Sequence, residues 1–247
     1  MSISSDTDWR GLRAAGQVVR LTLDALEQNL RAGVTTRDLD RIAERVLAKH
    51  GARSAPALVY GFPGSALISI NDEVVHGVPG ARRIRSGDVV KLDVTVELDG
   101  YMADAARTVI VDAGTALAKR LQACVRAAFG RALAVAKLGN RVSDLGRAVD
   151  AEVRQRGFQV VRALSGHSIG RTIHEAPSVP NYFDPHQLDV LTEGLVLAIE
   201  PIVAAGTGDV VEDRDGWTIR TRDRSLAAHH EHTVVITEGG PVLLTAA

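Results

Sequence analysis

The segment 91–111, KLDVTVELDGYMADAARTVIV, constrains the fold more than any other part of this 247-residue chain. Apolar and polar residues alternate on both sides of Asp99-Gly100. Asp-Gly between two such runs is typical of a two-residue turn that joins antiparallel strands. The segment therefore predicts a β-hairpin.

Two aspartates share one face of this hairpin. The predicted register places Asp93 opposite Ala106 and Asp104 opposite Thr95, so the two carboxylates are diagonal neighbours roughly 7–8 Å apart at the backbone. Like charges among apolar neighbours repel each other and lose hydration unless a proton or a cation lies between them. The pair therefore indicates a divalent metal site. The alternative is that both aspartates point to solvent from a half-exposed hairpin.

Composition excludes several classes of protein. The single cysteine, Cys124, rules out an intrachain disulfide framework, and its helical apolar surroundings favour a packed thiol over a nucleophile. A net charge of −1 argues against a broad basic surface for nucleic acid. The N-terminus lacks the apolar core of a signal peptide, and no apolar run approaches the ~20 residues that span a bilayer. We expect a cytoplasmic protein with no membrane segment and no specific nucleic-acid binding.

Amphipathic patterns predict two pairs of helices, one in each half of the chain. A capping box of Thr35 and Asp38 opens the second helix, and Ser143 is the predicted cap of the fourth. The predicted helices cover about residues 9–31, 35–50, 115–138 and 143–156, and a loop rich in small residues and glycines is expected after the second.

The two helix pairs match each other without a gap. Asp38 aligns with Asp144, and four further identities occur at the same offset of 106 residues. The match indicates a duplication. We therefore predict one α/β domain, residues 1–247, with related halves at about 9–111 and 115–245.

The same offset predicts where acidic residues recur. Carried forward from Asp93 it reaches Ile199, one residue before Glu200, in a strand-like run. Glu231 begins another strand-like run. Each half would then contribute two carboxylates to a sheet wrapped around a shared metal site.

A histidine completes this predicted site. His167 lies in a glycine-flanked turn, and although a lone histidine there is more often a loop residue, four recurring carboxylates favour a ligand. Four carboxylates and one imidazole suit two divalent ions, with Co, Mn, Fe or Zn all compatible. Two such ions ~3.5–4 Å apart can bridge a water and lower its pKa, which gives a hydroxide nucleophile. The predicted ligands are Asp93, Asp104, His167, Glu200 and Glu231.

Other histidines lie near these ligands in sequence. His174 and His76 could each donate a hydrogen bond to a scissile amide or its developing oxyanion, with a surface-loop role as the alternative. Strand alternation directs His230 and His232 to the face opposite Glu231. We interpret these two and His229 as supporting or surface residues.

Taken together, these residues resemble the bacterial type I methionine aminopeptidases over nearly the whole chain. The resemblance implies the duplicated pita-bread (creatinase/aminopeptidase) fold, in which a curved antiparallel sheet is flanked by two helix pairs with pseudo-twofold symmetry. The most specific segments are SINDEVVHGVP (69–79), KLDVTVELDGYMAD (91–104), SGHSIGRTIHEAP (165–177), AIEP (198–201) and DGWTIRTRDRSLAAHHEHT (215–233).

The resemblance also implies an activity, which is removal of the initiator methionine from nascent peptides whose second residue is small. It assigns metal ligation to the five residues predicted above and makes Glu200 the proton shuttle for the attacking water. His174 would contact the scissile carbonyl or its oxyanion, and His76 the peptide near the scissile nitrogen. The free amine of the substrate would bind a metal, which explains the restriction to N-terminal residues.

The substrate pocket implied by the resemblance departs from the family pattern. Leu67 stands where cysteine is frequent, Val59 and Ile173 where aromatic residues are frequent, and Ser168 where glycine is usual. The aliphatic residues can still line an apolar pocket for a thioether side chain. The implied pocket residues are Val59, Phe62, Leu67, His76, Ile173, His174 and Trp217.

Two rival functions differ from methionine removal. One is an aminopeptidase of the same fold with broader or Xaa-Pro specificity; the Xaa-Pro enzymes usually carry an additional N-terminal domain, and here the first helix starts by residue 9. A non-catalytic binding module of this fold would be expected to lose ligands. We expect a monomer; ribosome association would suit nascent-chain processing, although no residue identifies a docking surface.

Overall fold

Five helices and fifteen strands alternate along residues 1–246, the part of the chain that this computed structural model describes. The helices are α1 (Asp6–Asn29), α2 (Thr36–Lys49), α3 (Ala55–Tyr60), α4 (Ala116–Val135) and α5 (Val142–Gln155). The first eight strands are β1 (Arg53–Ser54), β2 (Leu67–Ile70), β3 (Glu73–Val75), β4 (Val89–Leu98), β5 (Tyr101–Ile110), β6 (Gln159–Val160), β7 (Ser165–Ser168) and β8 (Glu175–Pro180). The remaining strands are β9 (Val196–Ile199), β10 (Ile202–Ala204), β11 (Val210–Glu212), β12 (Ile219–Thr221), β13 (Ala227–His229), β14 (Glu231–Val235) and β15 (Val242–Leu243).

The predicted helix pairs are confirmed, with one cap displaced. The predicted capping box opens α2, because the Thr35 hydroxyl accepts from the Asp38 amide and the Asp38 carboxylate accepts from the Thr35 amide. In α5 the cap position is Arg141, not Ser143, because the Asp144 carboxylate accepts a 2.9 Å bond from the Arg141 amide. The two helices therefore begin with the same carboxylate-to-amide contact at equivalent positions.

Helix α3 was missed by the sequence interpretation, which expected a loop there. The Ser54 hydroxyl accepts from the Ala57 amide at its start, and Gly61 ends it at a φ of 73°. A helix of six residues is too short to display a helical repeat of apolar positions. Its place in the fold matters because it ends beside the functional site.

The central hairpin has the predicted register. Strands β4 and β5 pair Asp93 with Ala106 and Thr95 with Asp104. Asp99 and Gly100 form the turn with φ values of 50° and 79°, as a type I′ turn requires.

One nine-stranded sheet connects the two halves of the chain. Its main path is β1-β4-β5-β14-β9-β7-β8, with β2 also paired to β4 and β15 to β14. Strand β5 of the first half therefore lies next to β14 of the second. Two three-stranded sheets, β13-β10-β6 and β11-β12-β3, lie beside the main sheet.

Each helix pair packs against its own half of the main sheet. One core cluster joins Leu23 of α1 and Leu39 of α2 to β4, and a second joins Leu121 of α4 and Leu145 of α5 to β9 and β14. Full burial of each such side chain contributes roughly 1.5–3 kcal/mol. The predicted antiparallel sheet flanked by two helix pairs is therefore present, and within residues 1–246 no helix has both the length and the apolar character needed to cross a bilayer.

Candidate metal centre

Two rows of residues across the main sheet build the site. In the first row, Asp93 pairs with Ala106, and Ala106 on its other side pairs with Glu231. Directly paired residues of antiparallel strands present their side chains on the same face. The small Ala106 side chain therefore separates two carboxylates that face the same space.

The second row lies next to the first. The Thr233 hydroxyl accepts from the Asp104 amide and donates to the Asp104 carbonyl, both at 2.8 Å. Thr233 pairs with Ala198, which in turn pairs with His167. Asp104 and His167 therefore lie on the same face as the first row, on strands β5 and β7.

Glu200 enters from the residue after β9. Its carbonyl accepts a 2.9 Å bond from the Asn181 side-chain amide, which fixes the backbone at this point. Gly166 lies so close that a Cβ there would be 2.4 Å from the Ala198 carbonyl oxygen and 3.3 Å from Glu200 Cγ. A glycine is therefore required at position 166 for β7 to lie this close to the end of β9, which carries Glu200.

The structure brings all five predicted ligands together. The Nε2 atom of His167 lies 3.5 Å from Oε1 of Glu200. Two groups of potential ligand atoms, each within 4.8 Å of one another, share Glu231. These groups are Asp93, His229 and Glu231, and Asp104, His167 and Glu231.

The site strongly favours positive charge. Burial, followed by repulsion from neighbouring carboxylates, raises the pKa of Asp93, Glu200 and Glu231 well above their ordinary values. Burial also raises the pKa of Asp104. Burial lowers the pKa of His167 to about 4, so its imidazole is neutral at pH 7, the form that coordinates metals.

The donor set fits divalent metal ions. Within residues 1–246, no lysine or arginine forms an ion pair with any of the four carboxylates. Oδ1 of Asp104 and Oε1 of Glu231 are buried with no hydrogen-bond partner among the same residues. Buried polar atoms normally have partners, and carboxylate oxygens with imidazole nitrogens suit Mn, Fe, Co or Zn.

A cavity of about 180 Å³ opens above these residues. Four of the predicted pocket residues form an apolar and aromatic wall that two predicted histidines complete, and the rings of Phe62 and Trp217 meet edge to face with centroids 5.3 Å apart. The volume is below the ~300–1,000 Å³ of pockets for drug-sized ligands, which suits a single side chain. The predicted pocket residues that line it are Phe62, Leu67, His76, Ile173, His174 and Trp217.

Val59 is not brought to this cavity. It lies on α3 with 45% of its surface exposed, and the cavity is lined instead by Tyr60, the next residue. The Tyr60 hydroxyl lies 2.6 Å from Nδ1 of His174. Sequence reasoning missed Tyr60 because α3, which decides which side chain faces the cavity, was expected to be a loop.

The two predicted substrate-contacting histidines line the same cavity as the predicted metal ligands. His174 stacks edge to face on His167, with ring centroids 4.3 Å apart. His76 has a φ of 58°, a conformation that few residues other than glycine adopt. Its carbonyl accepts from the Thr218 hydroxyl at 3.5 Å, which ties it to the segment that carries Trp217.

Of the two roles expected for His229, supporting or surface, the surface role is wrong. Its side chain is 2% exposed and lines the cavity, with Nε2 3.5 Å from both Oε2 of Glu200 and Oε2 of Glu231. Strand alternation gives the signal that was missed, because His229 lies two residues before Glu231 and shares its face. His230 and His232 do point away, and both rings pack against Phe129 of α4.

The fold and this donor set together define a metallopeptidase of the pita-bread class. A sequence profile of metallopeptidase family M24 matches residues 10–238. Methionine aminopeptidase 2 of Bacillus subtilis is 40% identical over 247 residues, covering 99% of each chain. The structure of a methionine aminopeptidase from Thermotoga maritima superposes with a TM-score of 0.97 at 34% identity, covering 100% of both chains.

A more distant structure shares the fold alone. Prolidase from Pyrococcus furiosus superposes with a TM-score of 0.80 at 23% identity, and this chain covers 65% of that one. The chain belongs to metallopeptidase family M24, and within the family it groups with the methionine aminopeptidases.

Proposed function

We propose that this protein removes N-terminal methionine from nascent peptides whose second residue is small, by metal-dependent hydrolysis of the first peptide bond. The observation that carries this proposal is the cluster of four buried carboxylates and His167, without a compensating lysine or arginine among residues 1–246, at the base of an apolar cavity. Full-length similarity to methionine aminopeptidases supports the same reaction.

Five residues would hold the metal: Asp93, Asp104, His167, Glu200 and Glu231. Divalent ions bound there would supply Lewis-acid chemistry, lowering the pKa of a water and polarising the scissile carbonyl. Glu231 belongs to both groups of potential ligand atoms, which supports its contributing to two ions. We therefore propose two ions, with Co, Mn, Fe and Zn all compatible with the donors.

Glu200 is the proposed proton shuttle. Its carboxylate lies between His167 and His229, 3.5 Å from a ring nitrogen of each. Burial and the Asp104 carboxylate raise its pKa, which favours holding a proton taken from the attacking water. The same carboxyl can then deliver that proton to the leaving amine.

His174 and His76 are the proposed substrate contacts. The ring of His174 lies between Tyr60 and His167, so its orientation is fixed before substrate enters. A fixed ring nitrogen can donate to the scissile carbonyl as negative charge develops there. His76, which lines the same cavity and is bonded through its carbonyl to Thr218, would contact the peptide near the scissile nitrogen.

The apolar wall of the cavity is proposed to select the side chain of the substrate's first residue. Phe62, Leu67 and Ile173 are at most 6% exposed and present only carbon atoms to the cavity. Such a wall recognises a thioether by shape and dispersion, so leucine is the natural competitor of methionine. We place the activity in the cytoplasm, where nascent chains emerge; a monomeric state and ribosome association stay predictions.

The test is hydrolysis of three peptides by metal-stripped protein, with and without added Mn²⁺ or Co²⁺. The peptides are Met-Ala-Ser, Leu-Ala-Ser and Ala-Pro-Ser. We expect metal-dependent release of methionine alone. Release of alanine from Ala-Pro-Ser would favour Xaa-Pro specificity, and release of both methionine and leucine would favour broader specificity. No release with any metal would favour a non-catalytic binding module.

A substitution of Glu200 tests its catalytic role separately from its effect on folding. Glu200→Gln keeps the side-chain volume but removes the proton shuttle, and we expect a fall in kcat of at least about 10²-fold with an unchanged unfolding midpoint. Glu238→Gln, the same change at an exposed position, is the matched control. Wild-type turnover by Glu200→Gln would refute the role assigned to Glu200.

A further inference from the structure

His229 is fixed in place by its backbone. The Thr108 hydroxyl of β5 accepts a 2.9 Å bond from the His229 amide and donates a 2.7 Å bond to the His229 carbonyl. His229 also pairs with Ile202 at the edge of β10. These contacts hold its side chain on the face of Glu231, where it is 2% exposed.

The imidazole of His229 is buried beside two carboxylates. Neither Nδ1 nor Nε2 has a hydrogen-bond partner among residues 1–246, although both atoms are buried. Buried polar atoms in folded proteins almost always have a partner. The His229 ring lines the site with both nitrogens unpaired among residues 1–246, so a nitrogen is available to bind an ion or another ligand.

The distances around Nε2 suit a shared cation rather than direct hydrogen bonds. Nε2 lies 3.5 Å from Oε2 of Glu200 and from Oε2 of Glu231, which is long for a bond from an N–H group. Two ligand atoms each ~2.1 Å from one ion at a tetrahedral angle lie about 3.4 Å apart. Nε2 and these oxygens therefore have the spacing of neighbouring ligands.

We propose that His229 is a sixth protein ligand, which donates a ring nitrogen to the ion held by Asp93 and Glu231. This inference rests on the proposed metal centre. His167 then serves the ion held by Asp104 and Glu231, and His229 serves the other, so each ion has one imidazole and one aspartate and shares Glu231. In both groups of residues the potential ligand atoms lie within 4.8 Å of one another.

An imidazole donor from His229 would change the metal preference of the site. Carboxylate-only positions suit Mn²⁺, whereas an imidazole donor favours Zn²⁺ and Co²⁺. With His229 as ligand, both positions would bind Zn²⁺ in preference to Mn²⁺. Replacing His229 by glutamine should therefore change metal affinity at the position formed by Asp93 and Glu231. Affinity at the position formed by Asp104, His167 and Glu231 should not change.

The test compares His229→Gln with wild type after removal of metals, using Co²⁺, Zn²⁺ and Mn²⁺ as probes. His232→Gln is the matched control, because His232 lies beside Glu231 but faces Phe129 and is bonded to the Thr245 hydroxyl at 2.8 Å. Titration calorimetry gives the dissociation constants. Proton NMR of the Co²⁺-loaded proteins counts the exchangeable imidazole N–H signals that the bound ion shifts.

We expect wild type and His232→Gln to bind two Co²⁺ ions and to show two shifted imidazole signals. In His229→Gln one signal should disappear, the weaker Co²⁺ and Zn²⁺ dissociation constants should rise at least tenfold, and Mn²⁺ binding should change less. Two signals in His229→Gln, or equal losses of affinity for all three metals, would overturn the proposal. Wild-type protein that binds no metal would refute the proposed function as well.

A second variant guards against misfolding. If circular dichroism shows that His229→Gln is unfolded, His229→Asn replaces it, since the shorter amide relieves crowding and still lacks the ring. Retention of both shifted signals in His229→Asn would also overturn the proposal.

Discussion

Thr95 and Asp104 face each other across the central hairpin, and the Thr95 hydroxyl donates a 2.8 Å hydrogen bond to Oδ2 of Asp104. The other carboxylate oxygen, Oδ1, is buried without a partner among residues 1–246. The bond therefore fixes the rotation of the carboxylate and leaves one oxygen free to bind a metal ion. Contacts of this kind set the orientation and affinity of metal ligands.

Thr95→Val should weaken metal binding while preserving the fold. Valine has the shape of threonine but no hydroxyl, so Asp104 loses its orienting donor. We expect the dissociation constant for Mn²⁺ or Co²⁺, measured by titration calorimetry, to rise about 10–100-fold. Thr22→Val is the control, because Thr22 is fully buried in α1 and donates only to the Val18 carbonyl at 2.8 Å. Equal metal affinity in Thr95→Val and wild type would contradict this role.

Tyr60→Phe should slow catalysis without changing metal affinity. The Tyr60 hydroxyl lies 2.6 Å from Nδ1 of His174 and fixes the orientation of the ring. Loss of one hydrogen bond worth ~0.5–1.5 kcal/mol predicts a fall in kcat/KM of about 2–12-fold on Met-Ala-Ser. Tyr182→Phe is the control, because Tyr182 lies two residues after β8 and its ring packs under the Arg162 guanidinium. An unchanged kcat/KM in Tyr60→Phe would show that His174 needs no such support.

The sequence predicted the parts of the site that lie on long regular strands. Period-two alternation and the Asp-Gly turn were sufficient to place Asp93 and Asp104 on one face, because ten-residue strands leave a single register. The offset of 106 residues, taken from the matching helix pairs, reached Ile199, the residue before Glu200, because the two halves of the chain have related folds. Both inferences used backbone geometry that tertiary contacts did not alter.

The parts that were missed lie where the regular pattern is short or interrupted. Helix α3 is too short to show periodicity, so Val59 was expected where Tyr60 faces the cavity. His230 separates β13 from β14, and this break concealed that His229 and Glu231 face the same way. The small sheets around β10 and β12 depend on contacts between distant segments, which local patterns do not encode.

Arg220→Met should destabilise the wall of the cavity. Arg220 donates to Asp213 at 2.6 Å, to Glu73 at 2.9 Å and to Asp72, which joins β12 to the segment that leads into His76. Removing one partner of a fully buried ion pair costs ~3–5 kcal/mol, and the partial exposure of Arg220 reduces our expectation to about 2 kcal/mol. Urea unfolding followed by circular dichroism measures the loss, and KM should rise because Trp217 lies just before β12.

The neighbouring Arg224 provides the control for this prediction. It donates to Asp72 at 3.0 Å, but its side chain is 67% exposed. Exposed ion pairs contribute at most about 1 kcal/mol, so Arg224→Met should be nearly neutral in the same assay. A loss in Arg224→Met as large as that in Arg220→Met would show that burial is not what makes the Arg220 contacts stabilising.

Cys124 should resist thiol reagents in the folded protein. Its side chain is fully buried in α4, as its apolar sequence context predicted, and burial raises the pKa of the thiol to about 11. The thiolate is the reactive form, and at pH 8 it would be about one part in a thousand of the folded population. We expect reaction with Ellman's reagent at pH 8 to be at least about 100-fold slower than in urea, where the thiol is exposed and its pKa is ordinary. Because raising the pH increases the thiolate fraction, the folded rate should rise up to tenfold per pH unit between pH 8 and 10, and similar rates for folded and unfolded protein would contradict the buried position.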